Sequence, residues 1–141
     1  MSNQLKVIKF LAEARIFYVL TIDGEQPKGR PFSYFTVYDD KIFFSTGTHK
    51  NIFKQIQENP HVEILAWHGN KIMRYDGIAK IVEDDELTKA VRSASPTIAN
   101  EYDLRQWDFG HFYLEDGHVE IKFLLDPDEE FDLWALNEQQ I

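Results

Sequence analysis

The amino-acid sequence predicts a mainly β domain, with roughly seven antiparallel strands in a barrel or sandwich and three or so peripheral helices. Short runs dense in β-branched and aromatic residues recur along the chain. Turn signals separate them at Asp23-Gly24, Asp39-Asp40-Lys41, His68-Gly69-Asn70-Lys71 and Glu115-Asp116-Gly117-His118, as strands joined by tight turns require. Helical periodicity is confined to a few short windows. No repeat, low-complexity tract or linker divides the 141 residues, so the sequence reads as a single domain over 1–141 with an acidic C-terminal tail at 126–141.

Leu5, Ile8, Leu11 and Ala12 share one helical face, which predicts an amphipathic helix from Ser2 or Asn3 to about Glu13. Ile16 to Ile22 reads as a strand ending at Asp23-Gly24. A second strand runs from Arg30 to Tyr38 and a third from Ile42 to Thr46, together an antiparallel meander. After Gly47 the period changes: Ile52, Phe53 and Ile56 form a helical stripe that stops before Asn59-Pro60, with Thr48 as the expected N-cap. Val62 to Trp67 and Ile72 to Val82 read as strands, the second interrupted by Gly77, where a bulge or close backbone approach is expected. Asp84 to Ser95 reads as a helix with acids at its favourable end, and Pro96 to Asp103 as a second short helix or a loop. Phe109 to Leu114 and Val119 to Leu125 are expected to close the domain as a hairpin.

A chain of this size buries roughly 70% of the surface that its unfolded form exposes, enough to fold without a disulfide or metal staple. The absence of Cys excludes a thiol nucleophile, a thiolate zinc site, an iron–sulfur cluster and a CxxC redox pair. With no leader-like apolar run and no stretch of membrane-spanning length, the expectation is a cytoplasmic protein with no membrane partner. Fifteen Lys and Arg against 24 Asp and Glu, a net charge of -9, argue against a nucleic-acid partner, whose phosphates demand a basic surface. The acids are unevenly placed, however. Asp126, Asp128, Glu129, Glu130, Asp132 and Glu138 sit in the acidic tail with no base, leaving 18 acids against 15 bases, or -3, on residues 1–125. Gln26 to Tyr38 and Lys41 to Gln57 hold Lys28, Arg30, Lys41, Lys50 and Lys54 with no acid in either window.

The most informative segment is Phe43-Phe44-Ser45-Thr46-Gly47-Thr48-His49-Lys50-Asn51. A strand that ends in small hydroxyl residues and Gly, then opens a helix with Lys in its first turn, has the parts that hold a phosphate: donors, a favourable dipole and a cation. The same residues would equally serve as plain capping chemistry at a strand-to-helix turn. The segment is not a Walker A loop, which needs GxxxxGK[ST]. Arg30, between Gly29 and Pro31 on a strand poor in charge, is either a second phosphate contact or a solvated edge residue.

These residues carry a resemblance. The run from Phe17 to Trp67 is similar to the pyridoxamine 5'-phosphate oxidase-like, FMN-binding split-barrel superfamily. Its carriers are Arg30-Pro31-Phe32, the strand end Phe44-Ser45-Thr46, Thr48-His49-Lys50, and the helix running through Gln55 into Asn59-Pro60-His61-Val62. Arg74-Tyr75-Asp76-Gly77-Ile78-Ala79 and the closing segment resemble the small bacterial NimC/NimA, or nitroimidazole-resistance-like, members, so that the likeness covers about residues 5 to 125. It implies a six- to seven-stranded antiparallel split β-barrel and a homodimer with two FMN sites at the subunit interface. Arg30, Pro31, Phe32 and Ser33 would line the flavin ring and ribityl chain, Ser45 and Thr46 would continue that wall, and Thr48, His49 and Lys50 would hold the phosphate. The sequence departs from the true oxidase in having His49 where Arg is common, no Lys at or beside Phe35, and no C-terminal Arg-x-His; the last two argue against pyridoxamine phosphate as substrate.

An isoalloxazine also needs flat or aliphatic walls, for which Phe32, Tyr34, Phe44 and Trp67 are candidates, although aromatics on strands are more often core. His49, His61, His68, His111 and His118 show no metal-ligand spacing, so no metal site is expected. His68 and His118 read as solvated turn residues, and His111 as a candidate for the substrate or haem side of the site. The resulting expectation is an FMN-dependent oxidoreductase acting on a small-molecule electron acceptor, with NADH or NADPH as candidate reductant and no GxGxxG for it. The alternative is a non-catalytic protein that stores or senses FMN or haem.

Overall fold

Residues 1–123 and 127–133 of the computed structural model are described. Helix α1 (Asn3–Ala14) begins where the Ser2 hydroxyl accepts a hydrogen bond from the Leu5 amide, and it buries Val7 and Leu11 before Arg15 ends it at a positive φ. Strands β1 (Phe17–Asp23) and β2 (Gln26–Phe32) form a hairpin across Gly24, and β3 (Thr36–Tyr38) and β4 (Lys41–Gly47) form another across Asp39 and Asp40. Helix α2 (Asn51–Glu58) leads into β5 (His61–His68) and β6 (Lys71–Val82), and helices α3 (Asp85–Ala94) and α4 (Pro96–Arg105) precede β7 (Phe109–Lys122) and β8 (Pro127–Leu133).

All eight strands belong to one antiparallel sheet in the order β2-β1-β5-β6-β7-β4-β3, with β8 paired to the second half of β7. Consecutive strands β2 and β3 therefore stand at opposite ends of that order, joined only by Ser33, Tyr34 and Phe35. Four Cα steps from Phe32 to Thr36 reach at most about 14 Å, so the sheet must roll until its ends nearly meet. Among the described residues no ladder seals that seam. The domain is a mainly β split barrel whose open seam is spanned by the β2–β3 link.

Three expectations are corrected. The strand expected from Arg30 to Tyr38 breaks at Ser33–Phe35, and β1 to β4 are two separated hairpins rather than a meander, because β5, β6 and β7 lie between them. The closing hairpin is one long strand: Asp116, at φ 51, and Gly117 bend β7 without reversing it. Opposite this bend β6 shifts register between Asp76 and Ile78, and a Cβ on Gly77 would lie 2.7 Å from the Glu115 carbonyl oxygen, which accounts for the predicted bulge. Thirdly, Lys50 rather than Thr48 occupies the N-cap of α2, and its side chain makes no capping bond. Of the acidic tail, residues 127–133 form β8, while 126 and 134–141, like the expected strand end at 124–125, lie outside the described residues.

The barrel interior is filled from both sides of the seam. Phe17, fully buried on β1, packs at 5.7 Å between ring centroids against Phe44 of β4, and Phe32 and Phe35 from the seam lie 6.2 and 6.4 Å from it. Helix α2 buries Ile52, Phe53, Gln55 and Ile56. Gln55 takes part in a polar knot: the Thr21 hydroxyl donates to its side-chain oxygen at 2.6 Å, and the Arg30 guanidinium donates to both groups at 2.7 and 2.9 Å. The Gln55 side-chain oxygen thus accepts two hydrogen bonds from the wall, which pins the helix against β1 and β2.

Candidate functional site

The seam opens outward into a cleft of about 370 Å³, within the range of small-ligand sites. Pro31 and Phe32 at the end of β2, Ser33 and Tyr34 in the link, Ser45 and Thr46 at the end of β4, and Lys50 at the start of α2 contribute to its lining. Val91, Ile98, Tyr102 and Phe109 make the facing apolar wall, with Tyr102 and Phe109 stacked at 4.5 Å and 20°. Ser95 and Glu101 also reach it; Glu101 accepts a hydrogen bond from Arg105 Nε at 2.8 Å, which offsets its charge. Two larger surface hollows, of about 530 and 510 Å³, contain none of the predicted site residues.

The local sequence dictates the turn between β4 and α2. The Lys50 amide donates to the Gly47 carbonyl at 3.0 Å, and any Cβ at Gly47 would collide with the His49 imidazole and stand 2.8 Å from the Tyr102 hydroxyl. His49 stacks on Trp107 at 3.9 Å and 14° and meets Tyr102 edge-on. Its Nδ1 is enclosed without a hydrogen-bond partner, and burial, with Lys50 and Lys54 nearby, pushes its pKa down. His49 is thus neutral at pH 7 and braces the turn. Lys50 is exposed at a helix end that no side chain caps, beside a cleft lined by hydroxyls, so an anion there meets amide dipoles and a cation together.

Six of the nine predicted site residues, Pro31, Phe32, Ser33, Ser45, Thr46 and Lys50, meet around this cleft. The other three do not line it. Arg30 turns its guanidinium into the knot with Thr21 and Gln55; Thr48 faces a second hollow and donates its amide to the Asp108 carbonyl; His49 lies in the aromatic stack. Two of the aromatic wall candidates are corrected as well. Phe44 is fully buried in the barrel core, and Trp67 is exposed on β5 with its indole N–H on the Gly69 carbonyl. His118 lies within β7 rather than in a turn, between Asp132 and Glu130 of β8 at 3.0 and 2.9 Å, while His68 pairs with Glu13 at 3.1 Å. The facing wall from α3, α4 and β7 was missed; its only trace in the sequence is the aromatic density of Tyr102, Trp107 and Phe109. Among the described residues no group of three His, Asp or Glu could hold a metal ion, and no helix is long and apolar enough to cross a membrane.

Comparison with known proteins fits this geometry. Residues 6–121 match the family described as pyridoxamine 5'-phosphate oxidase. The chain belongs to that family. A NimC/NimA family protein of Clostridium acetobutylicum, 27% identical, superposes with a TM-score of 0.82 over 94% of this chain and 95% of its own. More distant members of the fold include a FAD-binding protein of Mesorhizobium loti (18% identity, TM-score 0.56, covering 84% and 94%). The heme storage protein of Vibrio cholerae is another (18%, 0.59, covering 96% and 99%). No curated protein matches the chain.

Proposed function

We propose that the cleft binds FMN and that the protein is a flavin-dependent oxidoreductase acting on a small molecule. The observation that carries this reading is the gathering of six predicted site residues, from β2, the link that follows it, β4 and the N-cap of α2, around one cleft that pairs apolar walls with a lysine at an uncapped helix end. The residues fit the group: Phe32, Tyr34, Ile98 and Tyr102 give the cleft apolar and aromatic lining suited to a flat ring, the hydroxyls of Ser33, Ser45 and Thr46 suit its polar edge and ribityl chain, and Lys50 suits the phosphate. Bound FMN would supply the hydride or electron transfer. The chain's own work is then to orient the ring, exclude water along the Tyr102–Phe109 wall and neutralise the phosphate at Lys50. Arg30 serves indirectly, by fixing β2 and α2 on which the lining residues ride.

Storage or sensing of haem is the second reading, favoured by the heme proteins that share the fold. The cleft lining holds no histidine, the commonest iron ligand, and this weighs toward a flavin. We also propose a cytoplasmic homodimer with the sites at its interface, a role for which exposed Tyr18, Trp67, Ile98 and Leu104 supply apolar surface. Absorbance of the purified protein and titration with FMN, FAD and haem test the reading. Saturable FMN binding followed by anaerobic bleaching and turnover with NADH or NADPH supports the oxidoreductase; FMN binding without turnover supports storage, and a Soret band with no flavin affinity overturns FMN. Sedimentation reports the dimer.

A further inference from the structure

His111 is 2% exposed and stands in the wall between the cleft and a second hollow, which it lines. It pairs in register with Ser45 across β4 and β7, and its Nδ1 lies 2.7 Å from the Ser45 hydroxyl, which lines the cleft. On its other side Nε2 lies 2.8 Å from the hydroxyl of Thr88 on α3. Thr88 and His111 both line the second hollow, about 350 Å³, whose rim carries Glu83, Asp84, Asp85 and Asp108. An unbroken line of hydrogen-bonding atoms therefore crosses the wall, from the cleft to an outer pocket rich in carboxylates.

We propose that Ser45, His111 and Thr88 form a proton relay between the outer pocket and the cleft, with His111 acting through the Ser45 hydroxyl. This rests on the reading of the cleft as a redox site. For one proton delivered, Ser45 gives its hydroxyl proton to an acceptor in the cleft and takes the proton of His111 Nδ1. His111 Nε2 takes the hydroxyl proton of Thr88, and Thr88 takes one from a hydronium in the outer pocket, leaving water. No electrons move and no charge remains on the relay. His111 ends in its other tautomer, and a proton passing outward restores the first, so a centre that gains a proton on reduction and loses it on reoxidation resets the relay each cycle.

The groups facing His111 suit that task. Each hydroxyl can donate or accept, so the pair supports either tautomer. Burial pushes the imidazole pKa below its ordinary 6.5, and Asp84 pulls it back only in part, so the ring stays neutral and keeps one bare nitrogen. Asp84 is itself held by the Tyr38 hydroxyl and the Glu86 and Leu87 amides, its pKa lowered chiefly by the Leu87 amide; it stays ionised and draws protons to the outer pocket without binding the ring.

Thr88→Val cuts the outer link with little change in shape and leaves the cleft untouched; Thr88→Ser restores the hydroxyl. In the protein without cofactor, ¹⁵N chemical shifts of His111 should show a neutral ring with both tautomers in exchange, collapsing to one tautomer in Thr88→Val and recovering in Thr88→Ser. In FMN-loaded protein, proton uptake on photoreduction, followed with an indicator dye, should slow at least about tenfold in Thr88→Val at unchanged FMN affinity, and return in Thr88→Ser. A charged His111 at neutral pH, a tautomer indifferent to Thr88→Val, or wild-type proton uptake in that variant overturns the relay. Failure of the wild type to bind FMN overturns the proposed function instead, and the ¹⁵N result alone then decides the relay.

Discussion

Two histidines seven positions apart on β7 live in opposite worlds. His111 sits in the half of the strand that pairs with β4, enclosed between two neutral hydroxyls, and its pKa is pushed down by burial. His118 sits in the half that pairs with β8, partly exposed between Asp132 and Glu130, and its pKa is pushed up, first by the hydrogen bond to Asp132. The bend at Asp116 and Gly117 separates the two. One strand thus serves a site with its first half and anchors the terminal strand with its second, and the difference lies in what surrounds each ring, not in the residue.

The sharpest test of that contrast is His111→Phe, which leaves the Ser45 and Thr88 hydroxyls without their partner and should cost about 2 to 3 kcal/mol in chemical denaturation. His118→Phe loses only solvent-exposed pairs and should cost less than about 1 kcal/mol. Comparable losses from the two would erase the distinction. At the bend, Gly117→Ala places a Cβ 2.8 Å from the Leu133 carbonyl oxygen and 2.9 Å from the Tyr75 ring. Overpacking there should cost about 1 to 2 kcal/mol and raise amide exchange in β8 while sparing the cleft. Lys50→Ala should weaken FMN binding by at least ~1 kcal/mol in a titration without shifting the unfolding midpoint.

The smallest effect is in pH. His111 binds its proton less readily folded than unfolded, so the stability of the first half is full above the ordinary 6.5 and falls as pH drops below it. His118 binds its proton more readily when folded, so its contribution is present below 6.5 and fades as pH rises through its raised value. Hydrogen exchange corrected for intrinsic rates should show β8 loosening toward alkaline pH and the β4–β7 ladder loosening toward acid. Parallel behaviour of the two segments would contradict the assignment.

Much of the fold was legible because local pattern and local structure agreed. The spacing of Leu5, Ile8 and Leu11 located α1, although Leu5 and Ala12 are exposed and the buried face is Gln4, Val7 and Leu11; Asn59-Pro60 closed α2, and Gly77 marked the bulge. Pairing was not legible, since β2 and β3 are neighbours in sequence yet occupy opposite ends of the sheet, and periodicity carries no information about partners. Glu115-Asp116-Gly117-His118 has the composition of a reversal, but β6 runs alongside β7 on both sides of it, from His111 to Lys122, so the same residues make a bend. β8 was hidden by its acids: Asp128 and Glu129 pair with Lys71 and Lys6, while Phe131 and Leu133 face the core. Within the site, the motif around Ser45 and Lys50 was visible because hydroxyls, Gly and Lys cluster in sequence. The opposite wall was not, because Val91, Ile98, Tyr102 and Phe109 converge only through tertiary packing, and Arg30 was misread because its partner Gln55 lies on another element.

We propose that the cleft between the seam and α4 holds FMN. Equilibrium titration of the purified 141-residue chain with FMN, read by flavin fluorescence, is the decisive experiment. Saturable binding at one FMN per chain is expected, weakened in Lys50→Ala and retained in Thr88→Val. Absence of saturable binding by the wild type, or binding that Lys50→Ala leaves unchanged, would rule out FMN in this cleft.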